Sequence, residues 1–158
     1  MSGRDAQGPV IYVDADGCPV KDEVYRVAGR YGLTVYVVSN RPVRTPSQGD
    51  VRPVVVGGAF DAADDWIAER AGPGTLVITA DIPLAARCLE GGARVLGPRG
   101  NRFTPDNIGS ALAGRELADQ LRQMGIQTGG PKPFDKRDRS RFLQVLDQEI
   151  QAVRRQGI

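Results

Sequence analysis

The chain of 158 residues has no histidine. That absence excludes every Ser-His-Asp and Cys-His catalytic arrangement and every histidine-containing zinc site. Cysteine is scarce as well. Cys18 and Cys88 lie far apart and form no C-x-x-C pair, too few thiols for a four-cysteine zinc site and best read as free in a reducing compartment. No apolar run approaches the roughly 20 residues of a membrane span, so no membrane partner is expected. The first ten residues lack the apolar core of a secretory leader, which makes a cytoplasmic location the expectation. Charge of one sign is lacking too: the net charge is +2, too small to argue for a nucleic acid except through local clusters. The chemistry left to this chain is that of carboxylates, hydroxyls, guanidiniums and hard metals bound through oxygen.

The remaining composition is that of a folded protein. Apolar residues make up 41% and charged residues 25%, and a chain of this length buries roughly 70% of its unfolded surface. One domain over residues 1–158 is expected, with residues 1–8 disordered and a helical C-terminal extension over 105–158. Strands are read at 10–14, 33–38, 51–56, 75–79 and 93–96, the third weakened by Pro53 in its middle. Helical periodicity is read at 19–31, 61–71, 84–90, 106–124 and 135–155, with Gly32 and Gly91-Gly92 as stops and Pro83 near a helix start. Strands alternating with helices predict an α/β fold: a parallel sheet of four to five strands flanked by helices in three layers.

In such a sheet, ligands bind beyond the carboxyl ends of the strands. This chain places Asp14 and Asp16 after the first strand, Ser39 and Asn40 after the second, and Asp61, Asp64 and Asp65 at the helix after the third. Asp81 follows the fourth. Carboxylates brought together repel unless a cation neutralises them, and a hard ion such as Mg²⁺ or Mn²⁺ suits an all-oxygen donor set. Such a centre fits phosphodiester hydrolysis, with RNA or another nucleic acid as partner. Simpler roles compete at each position. Asp16 and Asp61 are good helix caps, Asp64 stands where a negative charge favours a helix dipole, and Asp65 points about 100° away from Asp64. Arg99 and Arg102, in the loop G-P-R-G-N-R-F-T-P beyond the fifth strand, are candidates to steer phosphate, with Ser39 and Asn40 beside them. Cys18, at a helix start but next to Asp14 and Asp16, reads as an incidental thiol.

Two resemblances bear on the opening motif V-D-A-D-G-C-P-V. D-x-D-G after an apolar strand, with V-V-S-N at 37–40, resembles the start of haloacid-dehalogenase-type phosphatases. That resemblance implies Asp14 as nucleophile and Asp16 as acid/base, but T-A-D-I-P-L-A-A has no second acid near Asp81, and no lysine stands between Lys21 and Lys132. A longer series fits better: I-Y-V-D-A-D-G-C-P-V, G-G-A-F-D-A-A-D-D-W-I, L-V-I-T-A-D-I-P-L-A-A, G-P-R-G-N-R-F-T-P, G-I-Q-T-G-G-P and R-D-R-S-R-F, in that order. Together, over roughly residues 9–152, these resemble the YaiI/YqxD family of bacterial proteins, which looks like a branch of the PIN-like nucleases. The resemblance implies a metal-dependent nuclease with Asp14 and Asp16 as the first acid, Asp64 or Asp61 as the second and Asp81 as the third. Where PIN-like nucleases often carry a fourth acid, this chain has Pro83 and Leu84. A non-catalytic nucleic-acid-binding domain that keeps the acidic cluster is the other reading.

Overall fold

β-branched and aromatic runs form the first two strands, β1 (Val10–Asp14) and β2 (Thr34–Ser39), as their preference for a pleated, packed surface requires. Between them runs α1 (Lys21–Tyr31), which closes on Gly32 in the left-handed region (φ 67°), its N–H returning to the carbonyls of Ala28 and Gly29. The computed structural model describes residues 9–127, 129 and 132–156; the disorder expected at residues 1–8 lies outside them. The chain continues through β3 (Asp50–Val55), α2 (Ala62–Arg70), β4 (Thr75–Ile78), α3 (Ile82–Glu90), β5 (Arg94–Leu96), β6 (Arg102–Phe103), α4 (Ile108–Gln123) and α5 (Lys136–Gln156).

The strands form one sheet in the order β3-β2-β1-β4-β5-β6. The first five are parallel and β6 runs antiparallel to β5. Among the described residues the count therefore exceeds the expected four to five strands by one. β6 is two residues long, too short for a period of two to register in the sequence. Pro53 sits opposite Val37 without breaking the ladder because β3 is an outer strand, paired with β2 alone.

Alternation along the strands divides the core into two layers. Ile11, Val13, Val35, Val37, Leu76 and Ile78 face Val20 at the N-cap of α1, Val24 and Val27 within it, and Phe142, Leu146 and Ile150 of α5. Tyr12, Val77 and Val95 face Ala63 and Ile67 of α2 and Leu84, Ala85 and Cys88 of α3. Each fully buried side chain of this size contributes about 1.5–3 kcal/mol. The C-terminal helix stands where expected and does more than extend the chain, since α5 supplies a large part of one covering layer. α4 differs: none of its residues is fully buried.

The loop between β5 and β6 is clamped to α5. Gly100 has φ +86°, and a Cβ there would lie 2.7 Å from Arg141 Cγ and 3.0 Å from the Phe142 amide nitrogen. Only glycine permits that approach. It sets the positions of Arg99 and Arg102, on either side of it.

Candidate active site

Successive strands β1, β2 and β3 step outward in one direction, and β4 returns to the other side of β1. The reversal makes the carboxyl ends of β1 and β4 a topological switch point, where a crevice opens because the two flanking connections diverge. The register pairs Val13 with Ile78, so Asp14 and Thr79 emerge side by side. Thr79 Oγ1 donates to Asp14 Oδ2 at 2.7 Å and accepts from the Asp81 backbone N–H at 2.9 Å. The one hydroxyl proton of Thr79 is thereby committed to Asp14. Asp81 is the N-cap of α3, its Oδ1 accepting from Leu84 N–H at 3.0 Å, and Pro83 occupies the second helical position.

An open pocket of about 730 Å³ lies over this point. Asp14, Asp16, Asp61, Asp64 and Asp81 all line it, together with Asn40, Phe60 and Arg115. Asp64 projects from the first turn of α2, and Asp61 stands at that helix's N-cap without a side-chain hydrogen bond to it. Asp16 is an exposed loop residue and does not cap α1, whose N-cap is Val20. Asp65, offset around the helix, pairs instead with Arg87 at 2.9 Å. Phe60 is 95% exposed on the pocket rim.

The electrostatics follow from burial and crowding. Asp14 is only 9% exposed. Burial, then the charges of Asp64, Asp81 and Asp16, push its carboxyl up to about 6 against the opposing bond from Thr79. Asp64 is raised as well, by burial first and then by Asp81 and Asp61, with Arg87 acting the other way. Both cysteines are free and buried, and burial drives both thiols upward, Cys88 to about 12, so neither is an activated nucleophile.

The other named residues divide. Asn40 lines the pocket, whereas Ser39 is buried with its Oγ accepting from Arg41 N–H. Arg99 binds Asp138 at 2.8 Å and lies against the Phe134 ring, lining an adjoining hollow. Arg102 is on β6, its guanidinium held by Glu149 at 3.0 Å and by Gln148. Sequence reasoning missed Arg115, which lines the acidic pocket from α4. It sits in an unremarkable G-R-E-L stretch, and only the packing of α4 beside α3 brings it there.

The donor set suits a hard divalent ion, being all oxygen, and the raised carboxyl of Asp14 marks charge that the chain itself does not neutralise. Among the described residues no three acidic side chains surround a single point. Mg²⁺ commonly binds through one or two carboxylates and retains its waters, and this pocket has the room and the ligands for that mode.

Comparison with known proteins agrees with the sequence motifs. A family model described as "Uncharacterized BCR, YaiI/YqxD family" matches residues 12–152. A UPF0178 protein of Rhodospirillum centenum is 58% identical over 149 residues, covering 92% of this chain and 97% of the relative. One from Caulobacter sp. strain K31 is 57% identical over 146 residues, with the same coverage. One from Parvibaculum lavamentivorans is 58% identical over 145 residues, covering 92% and 95%. No solved structure matches the chain.

Proposed function

The chain belongs to the YaiI/YqxD family, and from that premise we propose that it is a PIN-like, divalent-metal-dependent nuclease hydrolysing phosphodiester bonds in RNA or another nucleic acid. One observation carries the reading: five aspartates from three separate strand ends line a single pocket at the switch point of the sheet. Crowding acids around the buried carboxyl of Asp14 is electrostatically unfavourable in the free protein and becomes favourable with a bound cation. Mg²⁺ or Mn²⁺ would be held through one or two carboxylates at a time, drawn from Asp14, Asp64 and Asp81, with retained waters and with Asp16 and Asp61 assisting; when bound it supplies a more acidic water and charge neutralisation at the phosphate.

The chain's own groups have distinct tasks in this reading. Thr79 holds Asp14 in one orientation by donating to it, and the Leu84 amide at the start of α3 does the same for Asp81. Asn40 offers an amide to a phosphate or ribose oxygen, and Arg115 a guanidinium to a phosphate oxygen at the pocket wall. The exposed ring of Phe60 offers a face on which an unpaired base can stack. The phosphatase alternative requires a lysine to hold the transferred group, but the Lys21 ammonium is bound by the carbonyls of Ala15 and Cys18.

The test is cleavage of labelled RNA by the purified chain with and without Mg²⁺ or Mn²⁺. Cleavage should require the metal and fall at least about a hundredfold in Asp14→Asn and in Asp81→Asn, the scale of losing an electrostatic stabiliser at a reacting centre. Absence of any metal-dependent cleavage of RNA or DNA by the wild type removes the nuclease assignment and leaves a binding domain. Trapping of beryllofluoride on Asp14 would support the phosphatase instead.

A further inference from the structure

A second hollow, of about 830 Å³, adjoins the acidic pocket and shares Ala80, Asp81 and Arg115 with it. Its character is opposite. Arg99, Arg115 and Arg122 line it, beside the apolar surfaces of Ile82, Pro98 and Phe134. Arg99 is already engaged by Asp138 and by the Lys132 carbonyl, so its charge is largely offset. Arg122 pairs with Asp119 one turn back on α4, but both side chains are at least half exposed, and such pairs are weak and easily exchanged. Arg115 makes no hydrogen bond or ion pair among the described residues. Arg115 and Arg122 are seven positions apart and so share one face of α4, separated by about 10.5 Å along its axis. A helix with no buried residue has no need of these two arginines for its packing.

We propose that this hollow binds the stretch of nucleic-acid strand next to the scissile bond. Arg115 takes a phosphate at the seam between the two pockets, Arg122 takes a further phosphate along α4, and Ile82 and Pro98 receive the sugar or base between them. The inference rests on reading the acidic pocket as the nuclease centre, since it is the strand leaving that centre which the hollow receives. It also meets a difficulty of that centre: a polyanion must approach five carboxylates, and a guanidinium at their edge offsets the repulsion.

Binding can be measured apart from cleavage. Fluorescence anisotropy of a short labelled RNA is followed on the Asp14→Asn background, with and without Mg²⁺, over a range of salt. Adding Arg115→Ala and Arg122→Ala should weaken binding by about tenfold or more and lower the slope of log affinity against log salt by about 1.4, from about 0.7 per single-strand phosphate contact. Arg115→Lys with Arg122→Lys should keep most of the slope. Arg154→Ala with Arg155→Ala, at the far end of α5, should change neither quantity. Both tested arginines are exposed, so folding is checked simply by circular dichroism. Unchanged affinity and slope in the double alanine variant overturn this inference even where the wild type cleaves RNA. Arginine-dependent binding without metal-dependent cleavage by the wild type overturns the nuclease reading and keeps the strand site. Displacement of the labelled RNA by inorganic phosphate as readily as by unlabelled RNA overturns the strand assignment in favour of a free-phosphate site.

Discussion

Asp14 and Glu149 are buried to nearly the same degree, 9% and 4% exposed, yet their carboxyls move in opposite directions. Burial raises both. At Glu149 the paired hydrogen bonds and charges of Arg94 and Arg102 outweigh it and hold the carboxyl below its usual range. At Asp14 one hydroxyl opposes burial while three further aspartates add to it, and the carboxyl rises to about 6. Glu149 joins α5 to β5 and β6, so its charge is matched by partners within the fold. Asp14 lines a pocket with no basic partner paired to its carboxyl among the described residues. A buried acid left without a cation by its own chain is where a ligand from outside has most to contribute.

Breaking each carboxylate should therefore have opposite effects. Glu149→Gln leaves two guanidiniums without their counter-charge and should cost about 3 kcal/mol in urea unfolding at neutral pH. The sign with pH follows: Glu149 is lowered, so its contribution is present above its ordinary value of 4.5 and is lost as pH falls through the folded value. Asp14→Asn should instead stabilise the metal-free protein above pH about 6, by about 1–2 kcal/mol, because asparagine still accepts from Thr79 and removes the repulsion. Asp14 is raised, so its contribution is fully present below 3.8 and is lost as pH rises towards about 6; the variant should lack that decline. A less stable Asp14→Asn in this range would mean that the charge is balanced after all.

Metal addition sharpens the same contrast. Mg²⁺ or Mn²⁺ at about tenfold over its dissociation constant should raise the wild-type Tm by about 3–6 °C, and should leave Asp14→Asn and Asp81→Asn unmoved. No rise in the wild type would sink the metal proposal. The smallest effect on stability belongs to Phe60→Ala, which should stay within about 0.5 kcal/mol of wild type while weakening RNA binding by about fivefold or more. Equal affinity in that variant would remove Phe60 from the binding surface.

Much of the fold was legible because its signals are local. The expected helices and strands fall within two residues of their bounds, with Gly32, Gly91 and Asp81 marking ends as their chemistry requires. Asp14, Asp16, Asp61, Asp64 and Asp81 could be nominated because parallel connectivity sends every strand end to one edge of the sheet. Arg102 and Arg115 could not be distinguished in this way. Arg102 lies on a two-residue strand that carries it to Glu149, and Arg115 reaches the pocket only through the packing of α4 beside α3. Neither contact leaves a periodic trace in the sequence.

The amino-acid order alone determined the α/β class, the alternation of elements, the exclusion of histidine chemistry, and the family, since each depends on residue type or on spacing along the chain. Tertiary structure alone decided the strand order and its reversal between β1 and β4, the sixth strand, and the fate of each charged side chain. Whether a buried carboxylate is neutralised, like Glu149, or left crowded among acids, like Asp14, depends on contacts between residues tens of positions apart. Electrostatic energy depends on distance and burial in space, and linear sequence encodes neither directly.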